Sequence, residues 1–122
     1  MKLKTSFYKG KNPNTGRIYS PEVIEIFENQ LNDLIRKNFC VLEDDNNDDF
    51  SPKINVENII GFITDYEWDK DQRLIIEIYE VEKFTFLLLE STQPQAYIVA
   101  RVWDNGEISP QDFRFIKFGV KL

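Results

Sequence analysis

The stretch from Ile59 to Glu82, IIGFITDYEWDKDQRLIIEIYEVE, constrains this chain most. Two apolar-rich runs flank Asp69-Lys70-Asp71-Gln72, a polar turn, and the spacing predicts a long antiparallel hairpin. Successive side chains of a strand point to opposite sides of a sheet, so alternation sorts them into faces. In the first run Ile60, Phe62, Tyr66 and Trp68 fall on one face, with Thr64 between them. In the second run Leu74, Ile76 and Ile78 fall on one face, and Ile75, Tyr79 and Val81 on the other. A strand that is apolar on both faces belongs in the interior of a sheet.

The other segments supply the rest of an α+β chain. Lys2 to Tyr8 is a first strand, Gly10 to Gly16 is turn-rich, and Arg17-Ile18-Tyr19 returns as a brief extended segment. Ser20-Pro21-Glu22 is a helix start: Ser accepts from orphan backbone N–H groups, Pro fits the first helical position and Glu complements the dipole. Val23, Ile24, Phe27, Leu31, Leu34 and Ile35 then recur at helical spacing, which predicts one main N-terminal helix over about 21–37 with Asn38 as its stop. Phe39 to Leu42 and Phe84 to Glu90 read as strands, and Ser91 to Gln95 as a turn. Ala96 to Trp103 alternates, Asp104-Asn105-Gly106 is a tight-turn signal, and Ser109 to Asp112 is a loop. The final run places Ile116, Phe118, Val120 and Leu122 inward and Lys117, Gly119 and Lys121 outward, a strand buried on one side. The expected fold is a mostly antiparallel β-sheet or partly closed barrel packed with the helix, in a single domain spanning 1–122.

Composition excludes several kinds of chemistry. The net charge of −6 argues against a non-specific nucleic-acid binder, which needs a basic face to displace counterions. There is one cysteine, Cys40, and no histidine, so an internal disulfide and a Cys/His zinc site are excluded. Cys40 stands between Phe39 and Val41 and reads as a small buried hydrophobe. The N-terminal residues do not form a signal peptide and no run is long enough to span a bilayer, which points to a soluble protein of a reducing compartment with no membrane partner.

The acidic run Glu43 to Asp49 fails as a calcium loop. Counting from Asp44, with Asn46 and Asp48 as the next ligands, Asp49 falls where the sharp turn needs Gly and Asn55 where a bidentate Glu is needed. It reads as a solvated, mobile loop, and no metal is expected. The five glycines are scattered, so no phosphate-cradling loop and no cofactor are expected either. Glu77 and Glu80 interrupt a strand and fit a solvated face better than a perturbed acid–base pair. Trp68, Tyr97 and Trp103 are either interface anchors or core residues.

In order, these segments resemble the prohead maturation proteases of tailed bacteriophages, the herpesvirus-assemblin-like serine proteases. Asn12 to Val23, with Gly16-Arg17-Ile18-Tyr19 at its centre, resembles the family's lead-in to its first helix. Val41 to Asp45 resembles the strand end that runs into the family's Asp-His-Pro segment. The central hairpin, and Ile98 to Arg101 followed by Gly106 and Phe113 to Leu122, resemble its later strands. The resemblance implies the prohead protease fold. It would place the catalytic histidine near Asn46 and the catalytic serine at Val99, and neither residue is present. Without nucleophile and base, acyl transfer has no chemistry to run.

The resemblance therefore implies a non-catalytic phage virion or head-assembly protein that binds other structural proteins of the capsid, portal vertex or neck. Its place would be the virion, and the host cytoplasm during assembly, without direct nucleic-acid contact. A homo-oligomer within a larger assembly is compatible with this role. The alternative is a small acidic inhibitor or regulator that sets Glu43 to Asp49, notably Asp44, Asp45, Asp48 and Asp49, against a basic partner site.

Overall fold

The hairpin forms where alternation places it. In the computed structural model, which describes residues 1–45, 52–80, 82–101 and 110–122, β3 (Ile59–Trp68) and β4 (Arg73–Glu80) are joined by a turn built on one side chain. Asp69 Oδ1 accepts from the backbone N–H groups of Asp71 and Arg73, at 2.8 and 2.9 Å, and Gln72 takes a positive φ of 64°. Leu74, Ile76 and Ile78 all point into the core, and β4 is an interior strand between β1 (Lys2–Tyr8) and β3.

The faces of β3 differ from simple alternation. Ile63 pairs with Ile78 but Asp65 pairs with Glu77, so Thr64 is an extra residue that moves the strand into the opposite phase. Ile63, Tyr66 and Trp68 consequently share the inner face, while Phe62 lies opposite Tyr79 on the outer one. Bulges of this kind bend and twist a strand, and they are invisible to a fixed period of two.

The helix α1 (Pro21–Arg36) matches its expected face and ends. Ser20 caps it by accepting from the Val23 N–H at 3.2 Å, and Pro21 occupies the first turn. Asn38, at a φ of 60°, closes it: the Asn38 N–H donates to Ile35 O and the Phe39 N–H to Leu34 O. Because Phe39 is used in this closure and is 64% exposed, β2 (Val41–Asp44) begins and ends two residues later than the apolar run suggested. Arg17-Ile18-Tyr19 is not a strand; Ile18 is exposed there, and the Arg17 carbonyl accepts from the Asn12 N–H.

Phe84 to Glu90 is a helix and not a strand. α2 (Lys83–Thr92) starts at Glu82, whose carboxylate accepts from the Thr85 N–H at 2.7 Å, and it absorbs Ser91 and Thr92. A short apolar run cannot separate helix from buried strand by period alone, and three consecutive leucines favour helix. The helix buries only Thr85 and Leu89, four apart, and leaves Phe84 and Leu87 on its outer side.

The six strands form one mixed sheet in the order β1-β4-β3-β2-β6-β5, with β5 at Tyr97–Arg101 and β6 at Arg114–Val120. All neighbours are antiparallel except β2 and β6, which are parallel. Register also shifts at Ile60, at Ile116 and within Thr5 to Phe7, and the sheet curls into a half-barrel. Its two edge strands meet at one parallel bridge, Thr5 to Ala96. The concave side holds the core. Phe27 of α1 packs on Phe7, Phe115 and Phe113, with ring centroids 4.7, 5.2 and 6.2 Å apart. The Gln30 amide fastens the helix to the start of β6, donating to Phe113 O at 2.9 Å and accepting from the Phe115 N–H at 2.7 Å. Lys117 departs from expectation: it is 3% exposed, so β6 is buried on both faces.

Candidate functional site

The outer face of β2, β6 and β5 gathers the polar groups that the apolar core excludes. Leu42 and Phe118 pair across β2 and β6 on the inner face, so their neighbours Glu43, Lys117 and Gly119 must face outward. Lys117 Nζ lies 2.8 Å from Glu43 Oε1 and donates also to the Lys53 carbonyl at 2.6 Å. Glu43 Oε2 accepts from the Asn55 N–H at 3.0 Å. Both side chains are almost wholly buried, so segment 53–55 closes over a paired and hydrogen-bonded ion pair. Burying two charges is costly unless both are satisfied in this way. An amine and a carboxylate so engaged offer neither a lone pair nor a proton to a substrate.

Next to this pair, a side-chain hydrogen bond reaches across β6 and ties the start of β5 to the residue that follows β2. The Tyr97 hydroxyl donates to Asp45 Oδ2, while the Asp45 N–H donates to the Val120 carbonyl at 2.8 Å. The Tyr97 ring lies on Gly119, where a Cβ would come within 2.6 Å of a ring carbon, so the site requires a residue without a side chain. Burial, then the hydrogen bond and the charges of Asp45, Asp44 and Glu43, push the Tyr97 phenol well above its ordinary range. It stays protonated at neutral pH and acts as a donor, not a base. Val99, two residues along β5, is 4% exposed and presents only hydrocarbon.

Of the residues singled out from the sequence, the structure brings Tyr97 and Asp45 together, with Asp44 in the adjoining strand end. The acidic run therefore does not begin as solvated loop, since Glu43 and Asp45 are buried and engaged. Trp68 has other neighbours. Its Nε1 donates to Glu28 at 2.7 Å, Lys9 Nζ lies 5.5 Å from its ring centroid, and its ring packs edge-on to Tyr66. It is half-buried against the core and tied to α1. Trp103, Asp48, Asp49 and the Asp104 to Gly106 turn lie outside the described residues. Glu77 sits on the outer face with its carboxylate 3.5 Å from the N-terminal ammonium.

Sequence reasoning missed Glu43 and Lys117. The available signal was Lys117 set between Phe115-Ile116 and Phe118 in the final run, which implies burial only if β6 is an interior strand. Cys40 is wholly buried, and burial pushes its thiol up to about 12, which leaves it unreactive. Among the described residues no group of three or more Asp, Glu, Cys or His side chains could hold a metal ion, and no helix is long and apolar enough to cross a membrane. Comparison finds no match. No family model, no curated protein and no solved structure matches the chain.

Proposed function

We propose that this chain is a non-catalytic accessory of phage head assembly that works by binding other structural proteins, on a scaffold like that of the prohead maturation proteases. One observation carries the reading. Val99, where the resemblance would put the serine, is buried hydrocarbon, and Tyr97, two residues before it, donates to Asp45, the described residue next to the position where the resemblance would put the histidine. The arrangement is that of a site whose groups hold strands in place. The sequence has no histidine to act as base, and the nearest amine, Lys117, is sealed against Glu43.

The inhibitor reading draws on fewer groups, because Glu43 and Asp45 are buried and engaged and leave less of the acidic run for a basic partner. Mass spectrometry of purified proheads and mature virions from the source phage tests the assembly role. The chain is expected in one or both at a fixed ratio to a head or neck protein. Absence from both overturns the role, and peptidase activity in the pure protein overturns its non-catalytic character.

A further inference from the structure

The register break in β1 leaves one ladder position to a side chain. β1 pairs with β4 as far as Lys4 and Ile75, and again at Tyr8 and Arg73. In the gap between, Arg73 Nε donates to the Thr5 carbonyl at 2.5 Å, and its guanidinium carbon lies 5.7 Å from the centroid of the Tyr8 ring. A planar guanidinium fastened at one nitrogen and lying over a ring is fixed in orientation. Its two terminal amino groups meet no acceptor among the described residues.

Arg73 forms one wall of a pocket of about 450 Å³, lined also by Lys4, Gln93, Pro94 and Gln95. Among the described residues no carboxylate lines it. Lys2, Lys9, Lys37 and Lys117 each have a carboxylate at 2.8–3.9 Å, but Lys4 and Arg73 have none among the described residues. The C-terminal end of α2 borders the pocket, and its last carbonyls are already taken. Leu88 O accepts from the Thr92 hydroxyl, Leu89 O from the Gln93 N–H and Glu90 O from the Gln93 side-chain amide. In a chain of net charge −6, two cations thus share one pocket with no acid to answer them.

We infer that this pocket binds the phosphate monoester group of a small molecule. Arg73 offers its two terminal amino groups, Lys4 a point charge on a flexible stem, and Gln95 a side-chain amide with no partner among the described residues. A phosphate monoester carries close to two negative charges at neutral pH and three acceptor oxygens, which matches two cations and an amide donor. A carboxylate brings one charge and two oxygens, and leaves one of the cations unpaired. The space beyond the phosphate holds the body of the molecule, with Pro94 as its apolar wall. Such a site neither needs the assembly role nor bears on it.

The test is titration of the full chain with phenyl phosphate, methyl phenyl phosphate and benzoate at matched ionic strength, read by backbone amide shifts. Phenyl phosphate should shift the amides of Thr5, Arg73 and Gln95 saturably. It should bind about tenfold more tightly than the diester or benzoate, the size of one charge-assisted contact. Lys4→Gln, an exposed change that leaves the core intact, should weaken phenyl phosphate about tenfold. Lys83→Gln removes the same charge at the far end of α2 and should leave binding as it is. The assignment is overturned if phenyl phosphate gives no saturable shifts at these amides, or if benzoate or the diester binds as tightly. It is overturned also if Lys4→Gln binds like the unaltered chain, or if Lys83→Gln weakens binding as much, which would show a general effect of net charge.

Discussion

Lys117 and Phe118 are neighbours in β6 and point to opposite faces of the sheet, and the two faces are held by different physics. On the inner face Phe118 packs on Phe115, with ring centroids 5.0 Å apart, among residues that are almost all hydrocarbon. Attraction there is non-directional and grows with apolar area removed from water, so a partner of similar size can substitute. On the outer face Lys117, Glu43, Asp45 and Tyr97 are joined by specific donors and acceptors, each of which needs its partner. The inner face sets how much stability the sheet gains. The outer face sets which strand end lies beside which.

The largest expected effect falls on the outer face. Lys117→Met keeps the volume but leaves Glu43 buried without its cation, and should cost about 3–5 kcal/mol in urea unfolding, as for other broken buried pairs. A loss below the level of surface substitutions would mean that segment 53–55 opens to water.

Alkaline pH gives the next effect, from Cys40 on the inner side. Its thiol is raised from 9.0 to about 12 by burial, so the unfolded chain ionises first. Stability is then fully present below about pH 9 and is lost as pH rises toward 12, and the raised Tyr97 phenol acts in the same direction. Urea titrations at stepped pH should show a decline in this window that is shallower in Cys40→Ala. Identical slopes would contradict the burial of the thiol.

Gly119→Ala drives a methyl group into the Tyr97 ring and should cost about 1–3 kcal/mol, as overpacking does. Much of that loss should return in the double variant with Tyr97→Ala, since the three atoms nearest the new methyl group all belong to this ring. Phe118→Leu, beside it but facing inward, should cost only about 1–1.5 kcal/mol, because the core can partly collapse around the smaller side chain. If Phe118→Leu costs more than Lys117→Met, the contrast between the faces fails.

The same contrast explains what was legible in the sequence. Apolar periodicity shows inner faces, so the Val23, Ile24, Phe27 and Leu31 stripe and the Leu74, Ile76 and Ile78 row were readable, as were Ser20 and Asn38 at the helix ends. Local chemistry that shifts the phase was not. Thr64 and Ile116 each add a residue to a ladder, and nothing in their identity announces it. The α2 run was misread because FTFLLLE suits both structures, although Gln93 in the left-handed region followed by Pro94 marks a helix end. Lys117 was misread because burial of a charge depends on a partner 74 residues away, Glu43, in a strand whose place beside β6 is set by tertiary packing. At the candidate site the sequence showed that histidine is missing, but not that Asp45 and Tyr97 meet.

The central claim is that the outer-face groups form a closed lock and not a reactive site. A double-mutant cycle over Glu43 and Lys117 tests it most directly. Glu43→Leu and Lys117→Met should each destabilise strongly. Together they should lie within about 1–2 kcal/mol of the unaltered chain, because an apolar pair can replace a buried ion pair of like volume. Losses that simply add in the double variant would show that the two charges are not coupled, and would contradict the account.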